Sequence, residues 1–156
     1  MRPSRRSSPH ESEQALTAPF TLRGLDHVVL RVRDAARMER FYCEVVGCVV
    51  ARRRTDLGLT HLGAGSTMID LVDINGPLGR KAGPSASTEG HNMDHLCLRV
   101  TPFDAAAIAV HLRAHGVEPR EIGTRFGAEG DGPSLYLDDP EGNRVELKGP
   151  SVEAAP

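Results

Sequence analysis

The sequence has few of the features that mark secreted, membrane-bound or nucleic-acid-binding proteins. Its three cysteines, Cys43, Cys48 and Cys97, form no CxxC pair, which favours reduced thiols and a cytoplasmic location over a disulfide framework. No apolar run approaches the ~20 residues that cross a bilayer. The formal charge is −2, without a basic stripe, so we expect neither a membrane nor a nucleic acid as a partner.

The 156 residues suit one compact domain between two polar ends. The amino-terminal end lacks the apolar stretch of a secretory signal and is predicted to be a flexible tail. A Gly-, Pro- and Ser-rich segment predicts a linker between two halves of the domain. The predicted order is a tail (1–20), a single domain (21–149) made of module one (24–75), a linker (76–92) and module two (93–149), and a second tail (150–156).

A short segment that occurs twice relates the two modules. The sequence LDHVVLRV returns 68 residues later as MDHLCLRV, with five of eight positions identical. Both copies are apolar and rich in strand-forming residues, which predicts β-strands. Because side chains alternate across a strand, one face of each copy carries a histidine and an arginine: His27 and Arg31 in the first, His95 and Arg99 in the second.

The same order of elements, βαβββ, is predicted for both modules. In module one we expect strands at 25–32, 49–53, 59–62 and 67–74 and a helix at 35–46. In module two we expect strands at 93–100, 120–122, 134–137 and 143–148, a helix at 103–115, and a glycine-rich loop at 123–133. The predicted fold class is α+β: two tandem βαβββ modules form a curved mixed sheet with a concave metal-site cavity, and the helices lie on the outer face.

Four residues at matching positions of the repeat predict the metal site. Laying one module on the other pairs His27 with His95, and Asp70 with Glu146. The helices cover the apolar strand faces, so these four side chains are expected on the concave face. Two imidazoles and two carboxylates are a ligand set for one divalent ion, such as Zn, Ni, Fe or Mn. A single strand histidine is more often a hydrogen-bonded core residue, but four matched positions favour a metal.

Strand alternation places further polar residues at the same cavity. Arg31, Arg99 and Arg144 are cationic, and His61 and Tyr136 occupy matching hairpin positions. Several cations at one cavity favour a small anionic substrate. The alternative is that the arginines reach into solvent from the strand ends and that the tyrosine only packs.

The strand histidines, a helix that ends in FYCEVVG and the closing motif DPEGNRVEL resemble the vicinal oxygen chelate superfamily, over residues 24–149. This superfamily includes glyoxalase I, methylmalonyl-CoA epimerase, extradiol dioxygenases, and fosfomycin and bleomycin resistance proteins. The resemblance implies that His27, Asp70, His95 and Glu146 are the four successive metal ligands. It also implies a homodimer, with the concave sheet completed within one chain or between two.

The second ligand position departs from the family pattern. Asp70 stands where glyoxalase I has glutamate and the epimerases have glutamine, and its side chain is one C–C bond, about 1.5 Å, shorter. Metal–ligand distances tolerate only about ±0.2 Å, so Asp70 ligates only if its strand lies closer, or acts through water. Without it, His27, His95 and Glu146 form a two-histidine, one-carboxylate set that suits Fe(II).

Three functions follow from this resemblance. The first is a glyoxalase-I-type lyase or isomerase, in which the metal stabilises an enediolate and Glu146 is the catalytic base. The second is an Fe(II) extradiol-type dioxygenase, which would consume oxygen. The third is a metal-free ligand-binding protein of the bleomycin-resistance kind, which the intact ligand set argues against.

Overall fold

A computed structural model of the protein describes residues 25–81 and 93–152. The predicted amino-terminal tail, residues 82–92 of the predicted linker and residues 153–156 lie outside the described residues. Within the described ranges, no helix is both long enough and apolar enough to span a bilayer.

Module one has the predicted order of elements. They are β1 (His27–Val32), α1 (Ala35–Arg40), a π-helical turn (Phe41–Val46), β2 (Val49–Arg54), β3 (Leu59–Ala64), β4 (Thr67–Asp73) and a short helix, α2 (Pro77–Lys81), at the start of the predicted linker. The Asp34 side chain caps α1 by accepting from the backbone N–H of Arg37 at 2.9 Å. Gly47 ends the π-helical turn at φ 90°, a left-handed conformation that favours glycine.

Module two repeats this order, with one correction to the prediction. Its elements are β5 (Leu96–Arg99), α3 (Ala105–Ala114), β6 (Ile122–Gly127), β7 (Gly130–Asp138) and β8 (Arg144–Lys148). The loop predicted at 123–133 is wrong, because this segment forms β6 and the first half of β7. Its glycines allow close approach rather than a loop: a Cβ at Gly127 would lie 2.9 Å from Cε of Lys148, and one at Gly132 would lie 2.7 Å from the carbonyl of Pro150.

The strands form two four-stranded sheets of identical topology. Their orders are β1-β4-β3-β2 and β5-β8-β7-β6. The first strand of each module runs parallel to the last, and the other pairs are antiparallel. The predicted α+β class, with tandem βαβββ modules, is confirmed. In the described part of the chain no hydrogen-bonded ladder joins the sheets, so β1 and β5 are edge strands.

The strand faces opposite the predicted site form the core. One apolar cluster, which includes residues of both modules, contains Leu30, Ile69, Leu71, Leu135, Leu137, Val145 and Leu147. Burial of each such side chain contributes roughly 1.5–3 kcal/mol. The histidines of the duplicated segment therefore face away from the core, as the alternation predicts.

Polar contacts join module one to the hairpin turn of module two, and they involve the FYCEVVG and DPEGN motifs. The Tyr42 hydroxyl donates to Oδ2 of buried Asp139 at 2.9 Å. Oε1 of Glu141 accepts from the backbone N–H groups of Arg33 and Asp34, at 2.7 and 2.8 Å. The FYCEVVG and DPEGN motifs thus dock the modules against each other, with contacts both before α1 and in the π-helical turn that follows it.

Candidate metal and substrate site

The sheet of module one presents a histidine and a carboxylate on the face opposite the core. His27 begins β1 and is paired with Met68, whereas Asp70 lies further along β4, opposite Val29. The His27 side chain is 45% exposed, and that of Asp70 is 7% exposed. The hydrogen bond that His27 donates to Asp26 is the main cause of its raised pKa, and the charge of Asp70 raises that pKa further. Because Asp70 follows Met68 by two residues on β4, the side chains of His27 and Asp70 lie on the same face of the sheet.

The sheet of module two repeats this pair in closer contact. His95 directly precedes β5, and Glu146 lies on β8 opposite Cys97. Nε2 of His95 is 3.1 Å from Oε2 of Glu146. The Glu146 side chain is only 6% exposed, so the histidine lies between this carboxylate and solvent.

An aspartate one residue earlier in the chain holds each histidine. Nδ1 of His27 is 2.7 Å from Oδ1 of Asp26, and Nδ1 of His95 is 2.7 Å from Oδ2 of Asp94. The hydrogen bond from His95 lowers the pKa of Asp94. Because an ionised carboxylate can only accept, each Nδ1 donates to its aspartate. Nε2 is then the ring nitrogen that would face a metal, and in His95 this atom lies 3.1 Å from Oε2 of Glu146. This is how metal-ligating histidines are commonly oriented.

The buried carboxylate of Glu146 provides a test of whether this site fits a cation. Among the described residues, no hydrogen-bond donor meets its Oε1, which is buried. Burial, then the negative charge of Glu146 and hydrogen bonding to this carboxylate, raise the pKa of Tyr136 and raise that of Cys97 to about 11. A buried, negatively charged oxygen without a donor is costly, and a bound cation would offset that cost. The Glu146 half of the site therefore fits a cation.

The carboxylate of Asp70 contacts a histidine of the neighbouring strand. Its Oδ1 lies 2.8 Å from Nδ1 of His61, the residue directly opposite it on β3. At the equivalent position of module two, Tyr136 stands opposite Glu146. The strand register therefore makes Asp70 equivalent to Glu146, and His61 equivalent to Tyr136, as the superposition of the two modules predicts.

The predicted anion-binding arginines contact groups of the same chain. Nη2 of Arg31 is 3.4 Å from the carbonyl of Gly79 in α2, and Arg99 pairs with Glu129 at 2.6 Å. Arg144 lies 5.9 Å from the ring centre of Tyr136, which is on the site face. Of the three, Arg144 is the arginine whose contacts place it beside the Glu146 half of the site.

Sequence reasoning missed two groups of residues at the site. Arg125 lies 5.6 Å from the Tyr136 ring, which in turn meets His95 edge-on at 5.5 Å. It was missed because its segment was predicted to be a loop. The sequence predicts no role at the site for Asp26 and Asp94, although the Asp-His dipeptide that occurs in both modules is a signal that could have identified them.

The predicted ligands form two pairs rather than one cluster. Among residues 25–81 and 93–152, no three His, Cys, Asp or Glu side chains come close enough to hold one ion. A groove of about 460 Å³ lies elsewhere, between module one's helix and the module-two hairpin turn, and its lining includes Phe41, Val45, Val117 and Pro140 but none of the predicted ligands. The repeated histidine–carboxylate geometry of the two halves therefore lies outside this groove.

Duplicated βαβββ modules, each with a histidine at the start of the first strand and a buried carboxylate on the last, define the class to which this fold belongs. The family model described as the Glyoxalase/Bleomycin resistance protein/Dioxygenase superfamily matches residues 24–147. The chain belongs to this family.

The similar proteins share this fold, although their names describe different functions. The chain is 30% identical over 137 residues to the glyoxalase domain-containing protein RDO1 of Mycosarcoma maydis, covering 86% of this chain and 73% of that protein. The structure of virulence protein STM3117 from Salmonella typhimurium matches with a TM-score of 0.66 and 25% identity, over 85% of this chain and 100% of that one. Lactoylglutathione lyase from Agrobacterium tumefaciens matches with a TM-score of 0.58 and 19% identity, over 82% and 94%.

Proposed function

We propose that the protein is a divalent-metal-dependent lyase or isomerase of the glyoxalase type, acting on a small anionic substrate with two neighbouring oxygens. The observation that carries this proposal is the Glu146 carboxylate: no donor meets its buried Oε1 among the described residues, and its Oε2 lies 3.1 Å from Nε2 of His95. The repeated Asp-His pairs support it, since both leave Nε2 available for a metal.

In this proposal the metal is held by His27, His95 and Glu146, with Asp70 at the fourth position, either directly or through a water. Such a set accepts Zn, Ni, Fe or Mn. A bound divalent ion would act as a Lewis acid that polarises two neighbouring substrate oxygens.

Glu146 is the proposed catalytic base. It takes the proton from the carbon next to a substrate carbonyl and returns it one carbon away, as general acid–base catalysis of an isomerisation requires. Its low exposure keeps bulk water from competing for that proton. Cys97 and Tyr136 line the same carboxylate, and their raised pKa values keep both groups protonated near neutral pH.

Cationic side chains beside the Tyr136 ring are the proposed binding groups for the negative charge of the substrate. Arg144 and Arg125 both lie within 6 Å of that ring. Arg31, Arg99, His61 and Tyr136 remain predicted to contact substrate. Arg99 would have to leave Glu129 for this role, an exposed pair that is worth little in free energy.

A homodimer is proposed to bring the half-sites together. Two observations support it: β1 and β5 are sheet edges in the described part of the chain, and exposed Leu25 and Val29 flank His27. In the dimer, His27 of one chain would share an ion with His95 and Glu146 of the other. Mixing a His27→Ala chain with a Glu146→Gln chain should then restore activity that neither has alone.

The test is metal content and turnover of the same preparations. Wild-type protein loaded with Zn, Ni, Mn or Fe should bind one ion per site and isomerise the adduct of methylglyoxal with glutathione. Glu146→Gln should reduce kcat by roughly 10²–10⁴-fold, and Arg113→Gln, on the outer helix α3, should leave it unchanged. Wild-type protein that takes up none of these metals would refute the proposal and favour a metal-free ligand-binding protein.

One observation favours a second function. The contact between Asp70 and His61 would leave two histidines and one glutamate if neither residue ligates, and this set suits an Fe(II) dioxygenase. Oxygen uptake by Fe(II)-loaded protein with a catechol would distinguish that reaction from an isomerisation. The cytoplasmic location stays a prediction.

A further inference from the structure

Two further polar side chains are buried on the face of module two that carries Glu146. Lys148 follows Glu146 by two residues on β8, and Ser134 stands directly opposite Lys148 on β7. Because alternate residues of a strand share a face, Lys148 and Ser134 lie beside Glu146 and point away from the core. Lys148 is 4% exposed and Ser134 is 0% exposed, so bulk water contributes little to the hydrogen bonding of either side chain.

The described residues satisfy the polar atoms of this pair only in part. Nζ of Lys148 donates to the carbonyl of Gly130 at 2.9 Å, and it forms no ion pair with any residue that the structure describes. An ammonium has three N–H donors, and burial of a charge without a counter-ion is costly. Oγ of Ser134 is buried and meets no hydrogen-bond partner in the same ranges of the chain. A bound oxyanion would accept from both groups and neutralise the ammonium.

Glycines of the β6–β7 hairpin make room for the lysine side chain. A Cβ at Gly127 would lie 2.9 Å from Cε of Lys148, and one at Gly132 would lie 2.8 Å from its Nζ. A larger residue at either position would displace the ammonium, so these glycines allow the hairpin to hold it against the carbonyl of Gly130. The positive charge is therefore kept at a defined position on the site face.

Module one has an apolar pair where module two has this lysine and serine. Val72 and Leu59 stand opposite each other at the equivalent positions of β4 and β3, and Val72 is 5% exposed. The same strand topology therefore forms with two apolar side chains at this place. Folding does not require the buried polar pair of module two, which indicates a role in binding.

From these observations we infer that Lys148 and Ser134 bind the anionic group of the substrate, with Nζ and Oγ donating to one carboxylate or phosphonate. Residues two apart on a strand are separated by about 7 Å, so this anion lies only a few bonds from the carbon on which Glu146 acts. The substrate class is then a short-chain oxo- or hydroxy-acid, or its phosphonate analogue. The inference rests on the proposed function for the role of Glu146, and it adds a buried contact to the partly exposed arginines proposed above.

The test measures anion binding by the full-length protein after treatment with a chelator, so that no bound metal can hold the anion. Inorganic phosphate and pyruvate are titrated separately by calorimetry, and the tighter of the two probes shows whether a phosphonate or a carboxylate is preferred. Lys148→Met should weaken binding of that probe about 10-fold or more, and Ser134→Ala about 3–10-fold, as the loss of a charged and of a neutral hydrogen bond does. Lys81→Met, which changes an exposed lysine of α2, is the matched control and should leave binding unchanged.

A second variant keeps both binding groups and changes only their position. The Cβ of Gly127→Ala would meet the flexible side chain of Lys148 and no backbone atom within 4 Å, so the fold should hold while the probe binds more weakly. Thermal unfolding checks the variants: replacing a buried, unpaired ammonium with methionine should not lower Tm, and the probe should raise the Tm of wild type more than that of Lys148→Met.

Two results would overturn the inference. One is wild-type protein that binds neither phosphate nor pyruvate. The other is binding by Lys148→Met and Gly127→Ala that is as tight as that of wild type, which would place the anion elsewhere. Both results are obtained without metal, so they are distinct from a failure of metal uptake, which would refute the proposed function.

Discussion

Removing one hydroxyl group tests how the two modules are held together. Tyr42→Phe deletes the donor to Asp139 Oδ2 from a side chain that is 0% exposed, so water does not replace it. Hydrogen bonds to charged groups contribute about 1.5–3 kcal/mol. Asp139 keeps three other donors, the backbone N–H groups of Glu141 and Asn143 and the Asn143 side chain, at 2.7–2.9 Å. We therefore expect the lower end, a loss of about 1.5 kcal/mol.

That loss corresponds to a fall in Tm of about 3–6 °C for a domain of this size, and urea denaturation measures the free energy directly. A double-mutant cycle with Asp139→Asn isolates the pair from other effects of each change.

Burial, and then Asp139, raise the pKa of Tyr42. A raised pKa means that the stabilisation is complete below about pH 10, the unfolded value, and declines above it. A Tyr42→Phe variant within 0.5 kcal/mol of wild type, an ordinary surface effect, would refute this reasoning.

Three other changes test packing, burial and substrate binding. Gly79→Ala should cost about 1–3 kcal/mol in urea denaturation, because a Cβ there would lie 2.6 Å from Cα of Ile74; Gly63→Ala, whose nearest contact is 3.5 Å away, is the control and should be near neutral. Burial raises the pKa of Cys48 to about 11, so its alkylation at pH 8, followed by mass spectrometry, should be about 100-fold slower than that of an ordinary thiol; equal rates in folded and urea-unfolded protein would contradict this. Arg125→Gln should raise KM for the glutathione adduct by roughly 10-fold, the effect of one charged contact, with little change in kcat; an unchanged KM would remove Arg125 from the binding site.

The repeated segment made most of the fold predictable. Alternation in LDHVVLRV and MDHLCLRV separates the core face from the site face, and burial of Leu30 beside exposed Val29 follows that division. The predicted pairing of equivalent positions also holds, because the ladders place His61 opposite Asp70 and Tyr136 opposite Glu146. Local alternation and internal symmetry were sufficient for both results.

What the sequence did not predict depends on contacts between distant residues. The segment 123–133 has four glycines, which locally favour a loop, yet it is β-structure because β6 pairs with β7. Lys148 lies close to it at Gly127. The hydrogen bond between His61 and Asp70 depends on strand register, so considering Asp70 by itself suggested only a ligand that was too short. The identities of the metal ligands stay predictions.

The Asp-His dipeptides have a consequence for assembly. Each aspartate orients a histidine that is its immediate neighbour in the chain, so fixing the ring requires no loop closure and little entropy. In each module the histidine is therefore oriented locally, before the two halves of the proposed metal site meet. Bringing them together then costs the entropy of one docking event rather than that of ordering several separate ligands. An ion that binds only when both halves are joined would, in turn, favour the joined state.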